Sequence, residues 1–353
     1  MKIIPHSKPT IGQEEELAIA SVVKSGKITQ GSKVAQFEQN LADYVGKKYV
    51  IAVNSGLSAL HLSLIALNIK QDDEIILPSY TCDALLNAIL YLNAKPIIID
   101  VSYNDGNISV KEIKKYIATK TKAIIVPHSF GFSAEMDEIV NLGIPLIEDC
   151  ATSIGAEYKN KKTGSYGLVS IFSFYATKML TTGEGGAIVT DDEKIAETVK
   201  ELRDYTKHTE FKLRYNYKMT DICAAMGIVQ LEKLDGFIDK RNILAKTYSN
   251  LLKDHPNIIL PNYEDKKIKS NFYRYVIKIP NKDVNKIRDK MKSKGIFCGK
   301  GVLVPLHKLL NLHSKDYPIS EKLFKENISL PIYPSLNEED VKYISKSLID
   351  SLI

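Results

Sequence analysis

The chain has 353 residues, 44% hydrophobic and 25% charged, an ordinary globular composition and too long for one simple core. Its 48 basic and 42 acidic residues leave a formal net charge of +6, with no basic run of the length a nucleic-acid arm needs. The start MKIIPHSKPT lacks an apolar core of signal-peptide length and no apolar run reaches membrane-spanning length, so the cytoplasm is expected and a membrane partner is not.

In chain order, QEEELAIASVVKS (13–25) reads as an amphipathic helix stopped by Gly26, and 34–45 as a second stopped by Gly46. A rhythm of strand-length apolar runs then begins. The runs are YVIAV (49–53), EIILP (74–78), PIIID (96–100), AIIVP (123–127), PLIED (145–149), VSIFSF (169–174) and AIVT (187–190). Helical stretches such as 57–69 and 84–92 lie between several of them. Near-continuous apolar strands alternating with helices predict an α/β fold: a mostly parallel, seven-stranded sheet covered on both faces. Beyond residue 192 the rhythm fades. Residues 193–205 read as a helix and 221–252 as a long helix in which a break is allowed. FYRYVIKI (272–279) mixes aromatic and charged residues, as a half-exposed antiparallel strand does, with helices at 282–294 and 338–352 around two short Pro-containing segments. The expected domains are 1–245, the large cofactor-binding one, and 246–353, a small α+β one.

In open α/β sheets ligands bind beyond the carboxyl ends of the strands. After YVIAV come Asn54, Ser55, Gly56, Leu57 and Ser58, which open a helix whose free N–H groups suit a phosphate, although Asn and Ser there are also ordinary helix caps. After PLIE comes Asp149, a carboxylate at the end of a buried strand that needs a partner, either a salt bridge, a cap or a protonated heterocyclic nitrogen. The segment SFYATKMLTTGEGG (173–186) leaves a strand, places Lys178 and returns through three glycines. A lone loop lysine is most often a solvated charge. Together with Asp149 and Ser173 it points to an amine that forms a Schiff base with pyridoxal phosphate, whose protonated ring is an electron sink. Cys82, Cys150, Cys223 and Cys298 lie far apart with no Cys-x-x-Cys pair, so neither a metal site nor a disulfide framework is expected.

NSGLSALHLSL, IEDCATSIGA, SFYATKMLTTGEGGAIVT, YNYKMTDICAAMGIVQLEKLD and VPLH (304–307) follow one another in order between IGQEEELAIASVVKSGKITQG and ISLPIYPSL. In these landmarks the sequence resembles the DegT/DnrJ/EryC1/StrS sugar aminotransferases, which have the aspartate-aminotransferase fold. The resemblance implies Lys178 as the Schiff-base lysine, Asp149 as the partner of the pyridine nitrogen, and Leu57, Ser58 and Ser173 as phosphate binders. It implies that Asn216 reaches the cofactor phosphate of the neighbouring subunit in a homodimer with shared sites, and that His307 lies towards the substrate. Tyr175, Lys218, His307 and Tyr333 are the expected donors to a sugar or its diphosphate. The implied reaction moves an amino group, usually from glutamate, onto a keto group of a nucleotide-linked sugar; the expected acceptor is a 4-keto-6-deoxy sugar, with a 3-keto sugar as the near alternative. Departures are Cys82 where many members carry an aromatic ring against the cofactor, Thr152 for Gln or His near its phenolic oxygen, Tyr175 and Met179 for His and Asn, and Lys218 for Arg. The alternatives are a sugar dehydratase, whose members replace the lysine, and a cofactor-binding regulator without catalysis.

Overall fold

The computed structural model describes residues 2–206, 208–261 and 266–352. The sheet strands are β1 (Tyr49–Val53), β2 (Glu74–Pro78), β3 (Lys95–Ile99), β4 (Thr121–Pro127), β5 (Leu146–Asp149), β6 (Val169–Ser173) and β7 (Gly186–Thr190). Their spatial order is β1-β7-β6-β5-β4-β2-β3. Pairs among β2 to β6 are parallel, while β7 runs antiparallel to both β1 and β6. The expected mostly parallel seven-stranded sheet, the fold of type I pyridoxal-phosphate transferases, is therefore present. The carboxyl ends of β1, β5 and β6 and the amino end of β7 share one edge, since Val53 and Ser173 both register with Gly186.

One face of the sheet packs the helix Gly56–Ala66 and the other packs Ser32–Val45 and the long helix Asp221–Leu252, each around its own buried apolar cluster. The helix Gly56–Ala66 carries apolar residues on every side and is buried over Ser58–Leu64, with its polar His61 and Ser63 bonded to Tyr217 and the Ala59 carbonyl, as a helix sealed between sheet and neighbours must be.

A second core gathers Ile4, Leu244, Tyr248, Tyr275, Ile277, Ile328 and Ile344. It is built on a two-stranded antiparallel ladder, β8 (Tyr275–Lys278) with β9 (Asn327–Leu330). Strand β8 is more buried than its mixed sequence predicts: Tyr275 and Ile277 sit in the core, and Lys278 folds back to donate to the Asn104 carbonyl at 2.8 Å. The long helix runs unbroken through both its glycines: Gly227 lets it close on Phe37, which a Cβ there would meet at 2.9 Å, and Gly236 faces open space. It carries Ala224, Ile228 and Leu231 into one core and Leu244, Tyr248 and Leu252 into the other. Because the helix runs through residue 245 unbroken, we propose 1–245 and 246–353 as two lobes sharing that helix as a strut, with the strand-like start at Ile4 paired to Ile296 of the smaller lobe.

Candidate active site

At the shared sheet edge, Ser55 caps the helix Gly56–Ala66 by accepting from Ser58 N at 3.0 Å, worth about 1 kcal/mol. The first helical N–H groups, those of Gly56 and Leu57, have no intrahelical acceptor. Strand β6 delivers Ser173 against them: a Cβ added to Gly56 would lie 2.8 Å from Ser173 Cβ and 3.2 Å from its Oγ. Gly186 lets β7 approach equally closely, since a Cβ there would meet the Ser55 carbonyl carbon at 2.5 Å. A hydroxyl, free amides and the positive end of a helix thus converge where only glycines leave room, a cradle for a phosphate.

The cradle opens into a cleft of about 780 Å³. Leu57, Cys82, Asp149, Thr152, Ser173, Tyr175 and Lys178 all line it, so the structure brings together seven of the residues singled out in the sequence. Lys178 is half-buried on a loop that closes on itself: Phe174 N donates to Gly185 O at 2.8 Å, and Met179 and Leu180 are buried beside the lysine. Asp149 is buried at the end of β5, and its Oδ1 accepts from Ala151 N at 2.9 Å. Burial pushes its carboxyl up, against the pull of Ala151 N–H, Lys178 and His128. Thr152 donates to the His128 carbonyl at 2.7 Å, which keeps its oxygen lone pairs free to accept. Cys82 is exposed at the cleft mouth, and partial loss of water around its thiol, with Asp149 and Asp83 nearby, raises it above the ordinary range, so it behaves as a small neutral wall.

Ser58, Asn216, Lys218, His307 and Tyr333 do not line the cleft. Ser58 lies one turn behind the cradle and donates to Asn54 Oδ1 at 2.7 Å. The Asn216 side chain is exposed, and Lys218 pairs with Asp204 at 2.6 Å. His307 is fully buried between Ser79 Oγ (2.6 Å) and Glu321 (3.1 Å) and stacks on Tyr317, so within this chain it ties a loop to the sheet rather than facing substrate. Tyr333 is buried in the smaller lobe's core. Polar partners hold the first and apolar packing the second, which motif order does not reveal.

Sequence reasoning missed Tyr273, Arg274 and His128. Tyr273 lies beside Lys178, whose Nζ is 5.4 Å from its ring centroid. Burial works to raise the phenol, yet Lys178 and Arg274 outweigh it and hold it below its usual range. Asn271 positions this tyrosine by donating to the Thr152 and Ile154 carbonyls at 3.2 and 2.9 Å and accepting from Tyr273 N at 2.9 Å. Phe130 and Phe272 adopt positive φ where the two segments cross, a cost of roughly 1 kcal/mol or more each. His128 accepts Ala134 N–H at Nδ1 (3.1 Å), so Nε2 carries the proton it donates to Glu148 at 3.0 Å. His128, Glu148 and Cys150 lie close enough to suggest a metal, but both imidazole nitrogens and the Glu148 carboxylate already have protein partners.

The donor set fits pyridoxal phosphate: a cradle for the phosphate, a lysine amine for the aldehyde, and a carboxylate short of donors for the ring nitrogen. No helix among the described residues is long and apolar enough to cross a membrane.

Comparison with known proteins agrees. The chain is 33% identical to GDP-perosamine synthase of Escherichia coli O157:H7, with 99% of this chain and 98% of that one aligned. It superposes on the structure of Helicobacter pylori PseC, an aminotransferase involved in the biosynthesis of pseudoaminic acid, with a TM-score of 0.93, 29% identity and 99% of both chains covered. It also resembles the GDP-4-keto-6-deoxymannose-3-dehydratase ColD, with a TM-score of 0.89, 27% identity and coverage of 98% and 100%. Residues 9–349 match the DegT/DnrJ/EryC1/StrS aminotransferase family, and the chain belongs to that family of pyridoxal-phosphate-dependent sugar aminotransferases.

Proposed function

We propose that this enzyme moves an amino group from L-glutamate to the keto group of a nucleotide-linked sugar, a 4-keto-6-deoxy sugar ahead of a 3-keto sugar, in amino-sugar and polysaccharide biosynthesis in the cytoplasm. The observation that carries the reading is Lys178 held in one cleft with Asp149 and the phosphate cradle, in a chain similar along its whole length to a GDP-perosamine synthase.

Pyridoxal phosphate, when bound, supplies the electron sink for breaking a bond at the donor's α carbon. The remaining work falls to the chain. Gly56 and Leu57 N–H, with the Ser173 hydroxyl, hold the phosphate, and Ser58 keeps the cradle's turn in shape. Asp149 keeps the ring nitrogen protonated, because a cation beside a carboxylate pushed up by burial returns it to its charged form. Thr152, whose proton goes to the His128 carbonyl, would accept from the phenolic hydroxyl, and Cys82 would flank the ring. Lys178 would hold the cofactor through Nζ, and its free amine would be the base that moves the proton at the donor α carbon. Tyr175, exposed at the mouth, offers a hydroxyl to the sugar.

We further propose a homodimer with shared sites. Asn216 is exposed and stands outside its own chain's cleft, on the segment that pairs with Asp204, and this free position supports a role towards a second subunit's cofactor phosphate. Lys218 on the same segment serves the partner's substrate. The dehydratase reading, kept alive by the likeness to ColD, is disfavoured by Lys178 itself.

The experiment loads the enzyme in its pyridoxamine-phosphate form and adds candidate nucleotide keto sugars. Return of the absorbance of the lysine-bound aldehyde form, with an aminated sugar detected by mass, is expected for 4-keto substrates. If simple keto acids react and every nucleotide sugar fails, the proposal is wrong.

A further inference from the structure

The chain has five arginines, and they divide by location. Arg203 and Arg214 pair with Glu38 and Glu201 at 2.5 and 2.8 Å. Among the described residues, Arg241, Arg274 and Arg288, on the side of the smaller lobe, have no carboxylate within ion-pair distance, and neither does Lys300. Arg241 is buried and spends Nη1 on the carbonyls of Phe272, Tyr273 and Ile332, so it is a structural hub. Arg274, Arg288 and Lys300 instead line the cleft that holds Lys178.

All three gather on one turn. Arg274 Nη1 donates to the Lys300 and Gly301 carbonyls at 3.2 and 3.3 Å, and Arg288 Nε donates to the Cys298 carbonyl at 3.1 Å. Gly299 and Gly301 let this turn sit tightly: a Cβ on Gly299 would meet the His6 ring at 2.6 Å, and one on Gly301 would collide with the Tyr80 hydroxyl. Arg288 spends one nitrogen on the backbone and Arg274 adds to its Nη1 bonds a contact with the Tyr273 hydroxyl, and each keeps the other donors of its fork. The positive potential is felt locally, since burial together with Arg274, Arg288 and Arg241 drives the His6 imidazole down to about 3 and leaves it neutral beside Ser329 Oγ. Arg274 and Lys178 flank the same Tyr273 ring, each 5.4 Å from its centroid, so the two heads are separated by at most twice that distance. A small substrate spans it.

Three cations without a carboxylate partner in a half-buried wall repel one another, and the backbone carbonyls and the Tyr273 and Phe324 ring faces beside Arg274 and Lys300 relieve this only in part. A wall of that kind is stabilised when an anion arrives, and Arg presents the fork that carboxylates and phosphates match. We propose that Arg274, Arg288 and Lys300 form an oxyanion subsite that fixes the anionic end of a substrate, a carboxylate of the amino donor or the diphosphate of the acceptor, while the reacting end lies at Lys178. The proposal rests on the aminotransferase reading of the cleft but not on any particular sugar.

The test uses full-length enzyme carrying its cofactor, with Lys300→Met as the main variant, because among the described residues that side chain makes no hydrogen bond and Met can still pack against Phe324, and Arg288→Gln and the charge-keeping Arg274→Lys beside it. Cofactor absorbance is titrated with L-glutamate alone, and separately the amine form is titrated with uridine and guanosine diphosphates. Loss of one charged contact is expected to weaken binding on the order of tenfold in Lys300→Met and Arg288→Gln, with Arg274→Lys retaining most of it and cofactor loading unchanged. Inorganic phosphate should compete in the wild type and lose that effect in the variants. A shift in the glutamate arm alone identifies a carboxylate subsite, and a shift in the diphosphate arm alone identifies a diphosphate subsite. Unchanged affinity in both arms, with the cofactor bound normally, overturns the proposal. If glutamate reacts in the wild type but no nucleotide sugar does, the proposed acceptor falls while the subsite stands.

Discussion

Glu148 and Asp149 are neighbours on β5, both buried, and they face opposite sides of the sheet. Glu148 accepts from Gly164 N, Tyr166 N, Gly167 N, Ser170 Oγ and His128, at 2.5 to 3.2 Å. Burial opposes its ionisation, but these donors, His128 first, outweigh that and hold its carboxyl below the usual range. Asp149 has one backbone donor on the cleft side, at Ala151 N, and burial wins there, pushing its carboxyl up. The same residue chemistry, one position apart, is therefore a finished structural network on one face and an unfinished site on the other. The difference teaches that the number of donors aimed at a buried carboxylate, more than burial itself, separates a fold-holding acid from one kept for an incoming cation.

The largest way to break this comparison is Asp149→Asn. It keeps shape and removes the charge, and turnover should fall roughly 10²–10³-fold, the loss seen when one preorganised electrostatic group is removed. The fold should persist. Because the folded-state carboxyl is raised, ionising it costs stability as pH rises out of the ordinary carboxylate range, so the cofactor-free Asn variant should melt a few degrees above the wild type at neutral pH, at about 2–4 °C per kcal/mol. Near-normal turnover would make Asp149 structural.

Glu148→Ala should do the reverse. Breaking a buried, hydrogen-bonded pair costs about 3–5 kcal/mol, so thermal unfolding should shift strongly down while the folded fraction keeps its rate per site. The sign with pH is opposite as well: the depressed Glu148 carboxyl contributes stability that is present above the ordinary carboxylate pKa and lost as pH falls through its folded value. A Glu148 variant as stable as the wild type in a melting series would contradict the reading.

Subunit mixing sharpens the boundary of the cleft. Lys178→Ala and Asn216→Ala proteins, each inactive, should recover towards about a quarter of wild-type activity when mixed equally, because half the dimers are hybrids with one intact site. No recovery after demonstrated exchange would confine each site to one chain. The smallest expected effect is from Thr152→Val, which deletes the 2.7 Å bond to the His128 carbonyl and should cost about 1 kcal/mol of stability and a several-fold loss of rate.

The sheet was legible because strands buried on both faces read as unbroken apolar runs: YVIAV and EIILP coincide with β1 and β2. Asp149, Ser173 and Lys178 were legible because each follows such a strand, and strand ends are where this architecture places ligands. Strand β9 was hidden, since NISL is four residues long and abuts Pro331. Tyr273, Arg274 and Arg288 were hidden for another reason: they reach the cleft only through tertiary packing, by the Arg241 carbonyl hub and the Asn271 staple, and nothing adjacent in sequence marks them. His307 shows the converse. A motif sets it towards the substrate, and within this chain its side chain is buried between Ser79 and Glu321.

The central claim, that one lysine carries the cofactor in this cleft, is tested most directly by reducing the yellow holoenzyme with borohydride and mapping the modified peptide. The account predicts a single stable pyridoxyl adduct on Lys178, in the peptide that spans Thr177 to Met179. An adduct on any other lysine, or none in protein that has retained its cofactor, would contradict it.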